Sequence, residues 1–241
     1  MKIFAIDSSG QAAGCAILED DALVAEFHLL SGKAALRKTH SQSLVPMMEE
    51  MREVTGTDLS TIDAIAVTSG PGSFTGLRIG AATAKGLAFS LQKPIIAVPT
   101  LHALAENLHG VKGLICPVMD ARRSQVYTAL YKEENGKKKE VGDMRTIAVE
   151  ELTEDLNARK EEVLFVGDAV PVYAEALREK LTVPFSFAPA HLLMQRASSV
   201  AFCAMQQYLE EGEACFTKGE DFKPFYLRRS QAERETGIHI D

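Results

Sequence analysis

Hydrophobic and polar positions follow one another along the chain in a way that predicts strands and helices in turn. Short apolar runs rich in β-branched residues indicate buried strands, and longer stretches with a helical apolar period indicate helices. The first half is predicted to contain strands 3–6, 12–18, 22–29, 62–68 and 94–98, helices 41–55, 77–91 and 100–108, and a loop over 31–39. The second half is predicted to contain strands 114–119, 124–131, 140–149, 163–166 and 183–187, and helices 150–159, 172–180 and 198–210.

The predicted elements form the order βββαβαβα twice, which indicates an internal duplication. The first strand of each unit ends at an acidic residue, Asp7 in one unit and Asp120 in the other. Two such α/β units facing each other make the fold of actin, Hsp70 and the sugar kinases (ASKHA), whose cleft between two lobes normally holds ATP. We therefore expect an N-terminal lobe over 1–110, a C-terminal lobe over 111–218, and a tail over 219–241 that docks back and ends in a frayed segment.

A glycine-rich segment, residues 69–80, joins a predicted strand to a predicted helix. Such a turn can bind phosphate through free backbone N–H groups. However, Gly76 is followed by Leu77 where a Walker loop needs lysine, and Thr75 stands at the third glycine position of a dinucleotide fingerprint. The other interpretation is a tight crossing between strand and helix, where glycines let two backbones approach closely, and we favour it.

Two predicted helices of the N-terminal lobe carry much apolar surface. Helix 77–91 is nearly uncharged, and a helix that is apolar almost all round is buried on more than one side. Its small residues recur every fourth position, which would let another helix pack closely. Helix 41–55 has a methionine-rich stripe that suits an adaptable partner surface, although such stripes also occur in ordinary cores. The predicted interface residues of an intermolecular helix bundle are Leu44, Met47, Met48, Met51, Gly76, Leu77, Gly80, Ala81, Ala84 and Ala88.

Composition and charge limit the function classes. The 241 residues carry a formal net charge of −7, which argues against a protein that binds nucleic acid on its own, because phosphate binding needs a basic face. The four cysteines are scattered without a Cys-x-x-Cys pair, so we expect free thiols in a reducing compartment. The first apolar run is too short for a signal peptide, and no run has the length of a membrane helix. We expect a cytoplasmic protein.

The cleft between the lobes is expected to be a vestige without catalytic residues or cofactors. Active members of this superfamily place a glycine two residues after the first acid, so that the hairpin can approach phosphate. Here Ser9 occupies that position after Asp7, the turn after Asp120 contains no glycine, and the adenosine-binding double glycine is reduced to residues 167–169. The residues predicted to line the vestigial cleft are Asp7, Ser9, Arg78, Asp120 and Arg122.

The pattern of histidines predicts no metal site. A helical pair of histidine ligands would need a second histidine four residues after His40, and that position is Leu44. His40 is instead expected to cap or orient the start of helix 41–55, with Ser41 as the N-cap residue. Serine and aspartate are frequent, but they form no specific nucleophile pattern with histidine.

Several motifs resemble those of the bacterial TsaB (YeaZ) family, and together they span nearly the whole chain. The longest and most specific motif is the glycine-rich segment itself, SGPGSFTGLRIG at 69–80. The shorter motifs are IDSS at 6–9, HSQSLVP at 40–46, VPTL at 98–101, MDARR at 119–123 and PFYLR at 224–228. One departure is Ser8, where the family commonly has threonine, and this exchange keeps a hydroxyl.

The resemblance implies a non-catalytic scaffold subunit in the synthesis of threonylcarbamoyladenosine at position 37 of tRNA. Members of the family pair with themselves or with TsaD, the threonylcarbamoyltransferase, through the first two helices of the N-terminal lobe, which are helices 41–55 and 77–91 here. A TsaE-type ATPase joins them, and tRNA is reached only indirectly through the complex. The alternatives are an ATP-dependent kinase of a small metabolite and a zinc peptidase, the latter by analogy with TsaD alone.

Overall fold

The computed structural model describes residues 1–30 and 39–228. The predicted loop over 31–39, apart from Thr39, and the predicted frayed end beyond residue 228 lie outside the described residues. The first unit contains β1 (Lys2–Asp7), β2 (Ala12–Glu19), β3 (Ala22–Leu30), α1 (His40–Thr55), β4 (Ala64–Gly70), α2 (Phe74–Leu91), β5 (Ile95–Pro99) and α3 (Thr100–Ala105). The second unit contains β6 (Leu114–Arg122), β7 (Gln125–Glu134), β8 (Lys137–Ala148), α4 (Val149–Arg159), β9 (Val163–Val166), α5 (Val170–Lys180), β10 (Phe185–Phe187) and α6 (Ala197–Glu211).

Each unit forms one mixed sheet, and the two sheets have equivalent strand orders. The first runs β5, β4, β1, β2, β3 and the second runs β10, β9, β6, β7, β8. In both, the first strand is antiparallel to the second strand and parallel to the fourth. A two-residue strand, β11 (Phe216–Thr217), extends the first sheet beside β5 and was not predicted. The predicted duplication of βββαβαβα is confirmed.

The strands alternate their side chains between two apolar cores, as the period of two requires. In β1, Ile3 and Ala5 belong to the core with α6, whereas Phe4 and Ile6 belong to the core with α1 and α2. Helix α6 comes from the second unit of the sequence yet packs on β1 and β2 of the first sheet, while α3 of the first unit contacts β6 of the second. This exchange of helices joins the two lobes, and the lobe boundaries at 110 and 218 stay predictions.

The helices that were predicted to form an interface start at other residues than predicted. Helix α1 begins at His40 with Thr39 as its N-cap, because the backbone N–H of Thr39 donates to the Gln42 side chain at 3.1 Å in a capping box. Ser41 is therefore not the cap. Helix α2 begins at Phe74, three residues earlier than predicted, because the hydroxyl of Ser73 accepts from a backbone N–H of the first turn.

The hairpin between β7 and β8 turns at Asn135 and Gly136, as predicted. Both residues have positive φ, 54° and 77°, and Asn-Gly is the pair that such a turn favours. Helix α3 is shorter than predicted, because it ends at Ala105 instead of residue 108.

Candidate functional site

The glycine-rich segment packs directly onto the turn that follows β1. A Cβ atom added at Gly72 would lie 2.4 Å from the backbone oxygen of Ser9, and one added at Gly76 would lie 2.0 Å from that of Ser8. Gly80 faces the Ser8 hydroxyl at 2.7 Å in the same construction. The first two separations are to backbone atoms and are shorter than a Cβ atom permits, so Gly72 and Gly76 are required where two backbones touch. The interpretation of this segment as a tight crossing is confirmed.

Hydrogen bonds hold the two backbones together. The N–H of Ser73 donates to the oxygen of Ser9 at 2.7 Å, and the Ser8 hydroxyl donates to the oxygen of Gly76 at 2.9 Å. At the start of α2, the N–H of Gly76 donates to the Ser73 hydroxyl at 3.3 Å and that of Leu77 to the backbone oxygen of Ser73 at 2.8 Å. The helix start is therefore bonded both to its own cap and to the turn after β1.

Asp7 lies at the bottom of this crossing and is 2% exposed. One of its carboxyl oxygens accepts from the N–H of Ser9 at 2.8 Å, from the Ser9 hydroxyl at 2.6 Å and from the Thr68 hydroxyl at 3.2 Å. Burial raises the pKa of the Asp7 carboxyl, and these hydrogen bonds oppose that shift without cancelling it. Asp7 and Ser9 of the predicted cleft set therefore lie together, in a closed and internally bonded site.

The equivalent turn of the second lobe is less buried, with the Asp120 side chain 12% exposed. The carboxylate of Asp120 accepts from the backbone N–H of Arg122 at 2.8 Å and pairs with its guanidinium at 3.3 Å, where the Arg122 side chain is 86% exposed. Arg122, Arg123 and Ser124 all have positive φ, a conformation that costs a non-glycine residue about 1 kcal/mol or more. Asp120 and Arg122 therefore form one pair and Asp7 and Ser9 another, and their place in a shared cleft stays a prediction.

Asp168 links the two lobes and was missing from the predicted site residues. Its carboxylate accepts from the N–H of Asp120 at 3.0 Å in the second lobe and from the N–H of Gln11 at 3.4 Å in the first. Burial raises the pKa of the Asp168 carboxyl. Gly167, before it, has φ of 124° and packs its Cα against the oxygen of Val118. The reduced glycine motif was the sequence signal that pointed to this position.

The tail crosses from one lobe to the other. The N–H of Phe225 donates to the oxygen of Ser69 at 2.6 Å in the first lobe, and Arg228 donates to the oxygen of Ala121 at 2.6 Å in the second. A Cβ atom at Gly70 would lie 2.1 Å from the oxygen of Phe225, so this glycine admits the tail. The segment 224–228 therefore contacts both lobes, and the docking of the whole tail over 219–241 stays a prediction.

Arg78 contacts the Phe74 ring, which itself packs against the tail. It lies on an exposed part of α2, with its guanidinium 4.0 Å from the centre of the Phe74 ring. The Phe74 ring in turn contacts that of Tyr226 at 4.7 Å between centroids. Among the described contacts, none joins Arg78 to the other four predicted cleft residues.

His40 orients the start of α1, which agrees with the prediction. Its Nε2 lies 2.9 Å from the backbone oxygen of Gly10, in the turn after β1. Among the residues that the structure describes, no group of three His, Cys, Asp or Glu side chains has the arrangement of a metal site.

The predicted interface residues require a correction. Nine of the ten are buried inside this chain, and only Met47 is partly exposed. Leu44, Met51 and Ala84 are fully buried in the core with the first sheet. The stripe of small residues on α2 lets the helix approach its own sheet and the turn after β1. Packing of this kind needs small residues at every fourth position, and so does packing against a partner helix, so the sequence pattern is the same for both.

The opposite faces of α1 and α2 are open. On α1, Val45 and Val54 are 57% and 69% exposed, and on α2, Phe89 is 81% exposed and Ala82 is exposed two turns before it. A partner of these two helices would contact this surface.

Comparisons with known proteins place the chain in a family. A family model described as TsaD, tRNA N6-adenosine threonylcarbamoyltransferase, matches residues 34–236. The tRNA threonylcarbamoyladenosine biosynthesis protein TsaB of Bacillus subtilis is 35% identical over 233 residues, which cover 97% of this chain and 96% of that protein. The chain belongs to the TsaB family. The TsaB protein of Escherichia coli is 37% identical over 139 residues, 56% of this chain and 58% of its own length.

Solved structures agree with the TsaB assignment. YeaZ from Pseudomonas aeruginosa superposes with a TM-score of 0.75 at 27% identity, covering 94% of this chain and 99% of that chain. The ethanolamine utilization protein EutJ from Carboxydothermus hydrogenoformans has a TM-score of 0.51 at 13% identity, covers 84% of this chain and 90% of its own, and shows a likeness of fold alone. The predicted TsaB family and the predicted actin-like fold are both confirmed.

Proposed function

We propose that this TsaB-family chain is a non-catalytic subunit of threonylcarbamoyladenosine synthesis in tRNA, and that it binds and activates a TsaD-type transferase. The observation that carries the proposal is the closed crossing over Asp7. In an actin-like enzyme the turn after the first strand would contact phosphate, and here Gly72 and Gly76 already contact that turn. These contacts support a role in which the chain binds a partner and does not itself hold phosphate.

The partner surface of this proposal is the exposed face of α1 and α2. Val45 and Val54 expose branched apolar side chains on α1, and Ala82 offers a small, exposed position on α2. Small residues let a partner helix approach closely, and apolar side chains around them supply buried area. The same surface serves self-association and association with the transferase, so the two assemblies compete.

The test is the mass in solution, by light scattering after size exclusion, of the chain alone and mixed with the transferase of the same organism. The wild-type chain forms a self-dimer that converts into a mixed complex. Ala82→Arg inserts an unpaired charge into the seam and abolishes both assemblies, because burying an unpaired charge costs several kcal/mol.

Ala158→Arg is the matched control, since Ala158 is exposed on α4 in the second unit. This variant forms both assemblies like the wild type. Undiminished complex formation by a folded Ala82→Arg variant would remove α2 from the interface, and a wild-type monomer indifferent to the transferase would overturn the scaffold proposal.

The remaining parts of the proposal follow from the family resemblance. A TsaE-type ATPase joins the pair, tRNA is contacted only indirectly through the complex, and the chain itself needs no cofactor and acts in the cytoplasm. The formal charge of −7 supports indirect contact with tRNA. Within the described part of the chain, no helix combines the length and apolarity needed to cross a bilayer.

The two alternative functions predict ligand binding that the scaffold proposal does not. A kinase of a small metabolite would bind ATP tightly, and a zinc peptidase would hold stoichiometric zinc. Both can be measured on the purified chain, by calorimetry and by metal analysis. No contact in the described structure favours either one over the scaffold.

A further inference from the structure

A groove of about 520 Å³ lies at the C-terminal end of α2, away from the cleft. Its walls are the last turn of α2, the segment leading into β5, and residues 218–220. Gly219 fits against Ala88 at the bottom of the groove, where a Cβ atom would lie 3.1 Å away. The groove is therefore built by two parts of the chain that are far apart in sequence.

Three lysines surround this groove in a protein that is acidic overall. They are Lys85, Lys93 and Lys218, and among the residues that the structure describes none of them forms an ion pair with a carboxylate. The ammonium of Lys85 donates to the backbone oxygen of Glu220 at 3.3 Å, which holds it at the rim without neutralising it. The Glu220 side chain offsets part of the charge, and the groove stays positive.

An aromatic side chain lies beside the lysines. Phe89 is 81% exposed, more than any other large hydrophobic side chain of the described residues. Ala88 and Pro94 add apolar surface to the same groove. An exposed aromatic ring next to unpaired cations is complementary to a ligand with both carboxylates and an apolar group.

We propose that this groove binds an acidic peptide segment of another protein, one that carries a large apolar side chain. The carboxylates pair with Lys85, Lys93 and Lys218, and the apolar side chain packs on Phe89. A peptide can place its carboxylates individually at each lysine and clear of Glu220. An RNA backbone carries a charge at every step and would meet both Glu220 and the overall charge of −7.

The groove shares Phe89 with the exposed face of α2, but Lys93 and Lys218 lie outside both α1 and α2, so the charge changes at these two lysines test the groove and not the helix seam. Its test uses the chain alone, so the result does not depend on the transferase. The probe is a short fluorescein-labelled peptide of Glu and Asp residues with one central Leu, followed by fluorescence anisotropy. A second labelled probe, a single-stranded oligouridylate, represents phosphate ligands.

The wild-type chain binds the peptide, and binding weakens as salt rises, because exposed charges are screened. The double variant Lys93→Glu, Lys218→Glu weakens binding about tenfold or more, and Phe89→Ser weakens it about fivefold. The matched control is the double variant Lys112→Glu, Lys160→Glu, which changes two exposed lysines outside the groove and leaves affinity unchanged. Circular dichroism checks that each variant is folded.

Two results would overturn the proposal. One is that the wild-type chain does not bind the peptide, or that the groove double variant binds it as tightly as the control double variant. The other is an oligouridylate that binds more tightly than the peptide and loses its affinity in the groove variant alone, which would make the groove a phosphate-binding surface.

Discussion

The two lobes carry the same turn after their first strand, and they use it in opposite ways. Asp7 is closed off at 2% exposure and accepts three hydrogen bonds from residues of its own lobe. Asp120 is partly exposed and pairs with Arg122, whose side chain faces solvent. The strand order around the two acids is equivalent, so the difference comes from what packs against each turn.

The packing element is the glycine-rich start of α2. In the first lobe, four glycines of the segment 69–80 approach the turn or the tail closely. The second lobe has only Gly167 at the corresponding crossing, and there Asp168 reaches the backbone of Asp120 with its side chain. One of the two duplicated turns is therefore closed by backbone contact, while the other is covered by side chains and is partly exposed.

The largest loss of stability is expected from a substitution at Gly76. Gly76→Ala would place a Cβ atom 2.0 Å from the backbone oxygen of Ser8. To relieve this clash, either the start of α2 or the turn after β1 would have to shift, and the turn is attached to the first sheet. We expect a loss of about 4 kcal/mol or more in the free energy of unfolding. Urea denaturation followed by circular dichroism measures the loss.

Gly86 provides the control on the same helix, because a Cβ atom there meets nothing within 4 Å. Gly86→Ala should stabilise the chain by up to about 1 kcal/mol through helix propensity. If both variants had the same stability, close backbone contact at Gly76 would not be what closes the first lobe.

The next largest effect is expected at Asp7. Asp7→Leu leaves the donors of Ser9 and Thr68 without an acceptor in a buried place, which should cost about 2 to 4 kcal/mol. Asp7→Asn keeps a carbonyl acceptor and should cost less. Unfolding of both variants at one pH, compared with the wild type, checks the order.

The pH dependence of these variants has a definite sign. The pKa of Asp7 is raised by burial from its ordinary value of 3.8, so folding favours its protonated form. Its contribution to stability is fully present below that ordinary value and is lost as pH rises through the raised pKa. Relative to Asp7→Asn, the wild type should therefore be most stable at low pH. A wild type that gains stability relative to Asp7→Asn as pH rises would contradict this.

The smallest effect is expected at the less buried turn of the second lobe. Asp120→Ala removes an acceptor for the N–H of Arg122 and for the hydroxyl of Tyr173, but solvent can replace both partners. We expect a loss below about 1 kcal/mol in the same unfolding measurement. A loss as large as that of Asp7→Leu would mean that the two turns are equally buried in solution.

The order of elements could be predicted from local patterns, because strands and helices differ in apolar period and because both units repeat one order. The tight glycine crossing also followed from residues close in sequence. Asn135 and Gly136 predicted their hairpin for the same reason. Each of these features depends on a few neighbouring residues.

The remaining features depend on contacts between distant segments. The stripe of Gly76, Gly80, Ala84 and Ala88 indicates close packing without saying against what, and the structure places it inside the chain. Asp168 joins two lobes through backbone groups far away in sequence, and α6 covers the sheet of the other unit. Local periodicity carries no information about such pairings.

The most direct test of the account is a calorimetric titration of the chain with ATP and Mg²⁺. If the first lobe is closed over Asp7 by its own glycine-rich helix start, the titration should show no binding tighter than about 1 mM. Stoichiometric binding well below that concentration, lost in Asp7→Ala, would show that the site admits a nucleotide and would contradict the proposed role as a non-catalytic subunit.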